Sequence, residues 1–199
     1  MSEIKFYSPK DPYYWLSNYY MSPMTLGNIT FTCNEAFYQA MKFRNPDDER
    51  SMGYYSLIAQ CDSPQKCKDM GSQKKSRYGS SWLINKAKPQ LGYVSEAIDA
   101  YKDIKMFKNW DDVMIMGLYI KFKQNDKLRS LLLDTEDALL VENSPRDAYW
   151  GIGKDGKGKN MLGEDLMFIR SKFRDIKNLK AKFKLEVKDD QLKVSSTFY

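Results

Sequence analysis

Apolar residues recur three or four positions apart across residues 52–59, 94–107, 113–122 and 128–133. That spacing gathers them on one face of an α-helix. Asn125 and Ser95 stand where side-chain caps would open two of these helices. A Gly27-Asn28 turn followed by the β-branched run 29–32 predicts a short strand, after which Asn34 is placed to cap a helix from Glu35 to about Arg44. The apolar run 138–141 predicts a second short strand, and the tail alternates over 183–187 and 192–198 in the manner of a hairpin. The pattern as a whole predicts an α+β fold, helix-rich with a small antiparallel sheet.

Between the helical stretches, residues 73–91 mix Lys, Ser, Gly and Pro with Trp82 and keep no period. They read as a long basic loop or local insertion. No repeat or linker-like tract divides the 199 residues. A single domain over 1–199 is therefore expected, with the basic insertion near 73–91 and a hairpin-like extension over 171–199.

Composition narrows the chemistry. There is no histidine, which removes the usual general base near neutral pH, the Ser-His and Cys-His nucleophile pairs and most catalytic zinc geometries. Catalysis is left to carboxylates, lysines, tyrosines and the backbone. Cys33, Cys61 and Cys67 are too few and too irregularly spaced for a disulfide scaffold or a thiolate metal site, and read as reduced thiols. No uncharged apolar run approaches the roughly 20 residues of a membrane span. A soluble, cytoplasmic protein without membrane association, metal or cofactor is expected; nothing in the sequence sets its oligomeric state. The formal charge of +6 is concentrated: residues 66–88 carry seven basic side chains against Asp69. Such clustering favours an anionic partner, a phosphate-bearing metabolite or nucleic acid, although a solvated basic surface has the same composition.

Two local patterns carry candidate chemistry. The stretch 151–158 satisfies G-x-G-x-x-G, but it neither follows a strand nor directly opens a helix, and Gly158 stands where a P-loop needs Ser or Thr. What survives is a glycine-rich loop with Lys154, Lys157 and Lys159, suited either to a phosphate or to a plain surface turn. After Asn34, residues Glu35, Tyr38, Gln39 and Lys42 fall at i, i+3, i+4 and i+7 and share one helix face, beside an apolar stripe of Ala36, Phe37, Ala40 and Met41. That face is either a solvated stripe or one wall of a site.

The run Glu35 to Phe43 resembles the E-x-x-x-Q-x-x-K-F signature of the YbiA-like (NADAR) family, preceded by Leu16-Ser17-Asn18-Tyr19-Tyr20, similar to its L-S-N-F-Y. Trp110, Met114, Lys121-Phe122 and Asn125 follow its W-x-x-x-M and K-F-x-x-N run. Residues 142–153 resemble its E-x-S-x-x-D-x-x-W-G-x-G, and Gly158, Asn160, Leu162-Gly163, Leu166-Met167 and Arg170 its final motif. The resemblance covers roughly residues 6–170, with departures at Ala36, Cys67 and Glu136 that bear on substrate choice.

This resemblance implies a YbiA-like fold and hydrolysis of a ribosyl C–N bond. The substrate would be a phosphorylated riboside of the riboflavin pathway or, as in other members, ADP-ribose on guanine, extending to ADP-ribosylated nucleic acid; a non-catalytic binding module is the remaining alternative. Carboxylates suit such chemistry because the anomeric carbon becomes oxocarbenium-like. Glu35 and Asp147 are the candidates, and Lys42 is the candidate amine that would attack the anomeric carbon once deprotonated. Tyr38, Trp110 and Trp150 are candidates to wall the base, and Lys68, Gly151, Gly153, Asn160 and Arg170 to hold phosphate; Asn18 and Gln39 complete the expected binding set.

Overall fold

The computed structural model describes residues 2–71 and 110–195, with side chains as far as residue 178. The expected basic loop at 73–91 and helix at 94–107 lie outside the described residues. Those described form an α+β fold of six helices and two small sheets.

Strand β2 (Met21–Leu26) alternates exposed and buried side chains and returns through Gly27, at φ +57°, into β3 (Ile29–Cys33). The antiparallel register slips between Met21 and Met24. Pro23, which has no N–H to give a ladder, lies within that irregularity. The second sheet joins β1 (Glu3–Phe6) in parallel to β4 (Leu139–Glu142). The antiparallel sheet expected from the sequence is present; the parallel pair is an addition to it.

From β3 the chain enters α1 (Asn34–Met41), then α2 (Glu49–Ala59) and α3 (Pro64–Gly71). The cap of α1 differs from expectation: Cys33 Sγ accepts from the Ala36 N–H, and Asn34 is the first helical residue. Asn34 is drawn away because its Nδ2 donates to Asn18 Oδ1 at 2.6 Å. Helix α4 (Trp110–Gln124) is buried on every side from Asp112 to Phe122 and packs against α1 and β2. An all-round apolar helix of this kind belongs in the centre of a fold. Helix α5 (Asp126–Asp134) is capped by Asn125, whose side chain accepts from Leu128 N, as its sequence position predicted.

Helix α6 (Met161–Ser195) packs on β4, α4 and α5. It also replaces the expected C-terminal hairpin, since it runs on to Ser195. The reason is local: Asp189-Asp190 lacks the glycine or asparagine that a tight hairpin turn favours, and the Lys- and Leu-rich tail propagates a helix already nucleated upstream. No helix among the described residues is long and apolar enough to cross a membrane.

Candidate active site

A cavity of about 170 Å³ opens where the segment before β2, α1, α3 and the loop after β4 meet; its wall includes Asn18, Glu35, Lys68, Glu142, Asp147 and Trp150. Each part of that wall is held by a specific contact. The fully buried Lys121 of α4 donates from Nζ to the carbonyls of Trp15 and Ser17, at 2.8 and 2.9 Å. The backbone is thereby pinned immediately before Asn18. Asn18 in turn accepts the Asn34 side chain on Oδ1 and the Glu35 N–H on its carbonyl, at 3.1 Å. Burial lowers Lys121 to about 7, so this clamp is strongest when the amine is protonated.

Three members of the expected helix face form one chain of hydrogen bonds. Lys42 Nζ donates to Gln39 Oε1 at 2.6 Å, and Gln39 Nε2 donates to Glu35 Oε1 at 2.8 Å. Glu35 is 5% exposed and reaches the cavity wall, whereas Lys42 lies behind it, 4.8 Å from the centre of the Tyr38 ring. Tyr38 is wedged edge-on between Trp110 and Trp150, at centroid distances of 6.1 and 5.8 Å. Helix α3 closes onto this relay at Gly71, where a Cβ would collide with Gln39 Oε1.

The electrostatics follow from burial. Desolvation raises the Glu35 carboxyl above its ordinary range, opposed by the Gln39 hydrogen bond and by the charges of Lys68 and Lys42. Desolvation lowers Lys42 to about 8, against the attraction of Glu35. An amine near 8 is partly unprotonated around neutral pH and so available as a nucleophile or base.

The loop after β4 supplies the other wall. Asp147 Oδ1 accepts from the N–H groups of Tyr149 and Trp150, both at 2.9 Å, an Asx turn that fixes the carboxyl and the indole together. Tyr149 OH donates to Asp111 at the start of α4, at 2.6 Å.

Of the candidates to hold phosphate, Lys68 lines the cavity and the others are placed elsewhere. Gly151, Gly153, Asn160 and Arg170 do not line the cavity. Asn160, at φ +53°, accepts from Glu142 N on Oδ1 and donates from Nδ2 to Leu140 O, tying the loop to β4. The glycines serve close backbone packing: a Cβ on Gly158 would strike the backbone of Gly151 and Ile152. Arg170 is 6% exposed and donates to Thr135 Oγ1 at 2.7 Å and to the Ala138 carbonyl at 2.9 Å. Its guanidinium holds the α5–β4 connection. Arg170→Met is accordingly expected to cost about 2 kcal/mol of stability, since two charge-assisted hydrogen bonds are lost. The melting temperature should fall by several degrees while KM for a phosphorylated substrate stays within about twofold of wild type.

Part of the wall comes from residues outside the expected set. Tyr19, Glu142, Ser144 and Arg146 line the cavity, and Glu142 and Ser144 are buried there. The available signal was their place in the motifs: Tyr19 beside Asn18, and Glu142, Ser144 and Arg146 in the run that holds Asp147. Exposed Arg146, with Lys68, forms a cationic rim. Among the described residues no group of acidic or thiol side chains is arranged to hold a metal ion.

The family model of the NADAR domain matches residues 5–174. The N-glycosidase YbiA of Shigella boydii serotype 4 is 36% identical over 171 residues, covering 84% of this chain and 86% of that protein. A riboflavin biosynthesis protein of Vibrio vulnificus is 31% identical over 172 residues, covering 86% of this chain and 39% of its own length. The solved NMR structure of Escherichia coli YbiA superposes with a TM-score of 0.61 at 33% identity, covering 88% of this chain and 87% of that one. Matched by the family model over nearly all of its described core, this chain belongs to the NADAR domain family.

Proposed function

We propose that this protein is an N-glycosidase that hydrolyses the ribosyl C–N bond of phosphorylated ribosylamino-pyrimidines, the reactive intermediates of riboflavin synthesis. The reaction class is that of the relatives named N-glycosidases, and the substrate reading draws on the relative named a riboflavin biosynthesis protein. The observation that carries it is the buried Lys42–Gln39–Glu35 relay ending on a cavity that also holds Asp147.

In this reading Asp147 and Glu35 face the charge that develops on the anomeric carbon, where preorganised carboxylates act most strongly. Unprotonated Lys42 swings from Gln39 toward the cavity and attacks that carbon, and water later releases the sugar from the resulting Schiff base. Trp150 bounds the base, and the rim cations Lys68 and Arg146 meet the phosphate. ADP-ribosyl-guanine, free or in nucleic acid, is the competing substrate.

Purified protein incubated with each substrate, with products identified by mass spectrometry, tests the proposal. Free pyrimidine and ribose 5-phosphate are expected from the first at a rate well above that of guanine release from the second. Guanine release alone would reverse the substrate assignment, and no cleavage of either would leave only a binding module. Borohydride added during turnover should attach the sugar phosphate to Lys42 and to no other lysine.

A further inference from the structure

Glu142 ends β4 with its backbone held on both sides. Its N–H donates to Asn160 Oδ1 at 2.9 Å and its carbonyl accepts from Ile152 N–H at 3.0 Å. The next N–H, of Asn143, bonds to Phe6 O at 2.9 Å. This anchoring delivers the side chain to the cavity wall, where the residue is only 7% exposed. There its Oε2 is buried and has no hydrogen-bond partner among the described residues.

A buried, unpartnered carboxyl oxygen destabilises a fold, so its presence calls for a reason other than stability. We propose that Glu142 is a catalytic residue, the acid that delivers a proton to the leaving nitrogen as the ribosyl C–N bond breaks. The assignment rests on the N-glycosidase reading above and extends it to the group that departs.

The surroundings separate Glu142 from the other carboxyls. Burial raises the Glu35 carboxyl as well, but its Oε1 already accepts from Gln39 and it faces the positive charges of Lys42 and Lys68. Asp147 Oδ1 is committed to two backbone N–H groups. Around Glu142, Asp147 from its own loop and Asp11 from the N-terminal segment repel negative charge, and Lys68 on α3 opposes them. Tyr14 also faces it, and Glu35, Tyr7, Tyr19 and Arg146 share its cavity. With burial as the leading cause, the carboxyl is pushed up to about 8, so it keeps its proton at neutral pH.

The step balances simply. The C1′–N bonding pair and the Glu142 proton both pass to the leaving nitrogen, and Glu142 becomes a carboxylate. Water supplies the hydroxyl that finally rests on C1′, and its remaining proton restores Glu142. The count is the same whether C1′ first bonds to Lys42 or directly to water.

The test compares wild type with Glu142→Gln on two phosphorylated ribosides. One is the ribosylamino-pyrimidine; the other is a ribosylpyridinium 5′-phosphate, whose neutral pyridine departs without a proton. Glu142→Gln is expected to lower kcat on the first by about 10²- to 10⁴-fold, the usual range for losing a general acid, and on the second by less than about tenfold. The fall in wild-type rate on the alkaline side of pH 8 should vanish in this variant. Glu142→Asp, which keeps an acid, should retain that fall and much of the rate, and guards against a folding defect in the glutamine variant. Equal losses on both substrates, or undiminished turnover of the amino-pyrimidine, would overturn the assignment while leaving an active wild type as an N-glycosidase. A wild type inactive on both overturns the glycosidase reading, and this proposal with it.

Discussion

Lys42→Met is expected to lower kcat/KM by about three orders of magnitude or more while leaving the melting temperature at pH 7 no lower than that of wild type. The two halves of this result have one cause. Burial holds the Lys42 amine at about 8, below its ordinary 10.5. The folded state therefore binds fewer protons than the unfolded chain across that window, and stability rises with pH through it. Below about 8 the buried cation imposes its full penalty, which methionine removes at the expense of the Gln39 hydrogen bond. The same depression makes an unprotonated amine available for attack, so the wild-type rate should climb as pH rises through about 8. With Glu142 losing its proton in the same range, the profile becomes a narrow bell whose limbs belong to the coupled site. A destabilised but active Lys42→Met would show that the lysine serves packing and not chemistry.

Glu35→Gln should reduce kcat by about 10²- to 10³-fold with the fold intact. Glutamine keeps an oxygen where Gln39 Nε2 donates at 2.8 Å, so the geometry of the relay survives and only the charge is lost. Glu35 attracts the Lys42 proton. Removing that attraction lowers the lysine further, and the rising limb of the rate profile should shift to lower pH. Because the folded-state carboxyl lies above its ordinary 4.5, Glu35 adds stability that is present at acid pH and lost as pH climbs through the folded value. The variant should therefore be at least as stable as wild type near neutrality. A rate loss with an unmoved limb would mean that Glu35 and Lys42 are not electrostatically linked.

Both predictions rest on a helix face that is legible in the order of residues alone. The i, i+3, i+4 and i+7 spacing places Glu35, Tyr38, Gln39 and Lys42 together wherever α1 packs. Which of them reaches a cavity is not legible there, because that depends on what closes over the helix. Gly71 pressing on Gln39 and Trp150 standing against Tyr38 put Lys42 behind Glu35.

Local chemistry also explains which element boundaries can be read. The Asn125 cap is satisfied within three residues, by Leu128 N, so its role is written in its own neighbourhood. Asn34 occupies the same kind of position, yet Asn18 claims its side chain and Cys33 becomes the cap. The parallel β1–β4 pair joins Ile4 to Leu140, a separation that no short window of apolar positions can register.

The sequence by itself determined the α1 face, since it resides in residue types at short, regular spacing, while the reaction class was implied by the resemblance to the NADAR family. Only tertiary structure decided that Arg170 and Asn160 fasten the backbone around β4, and that Glu142 Oε2 stands in the cavity without a hydrogen-bond partner among the described residues. The physical reason is that hydrogen-bond satisfaction and desolvation are set by groups far apart in the chain, and the same side chain is a clamp or an acid according to what surrounds it.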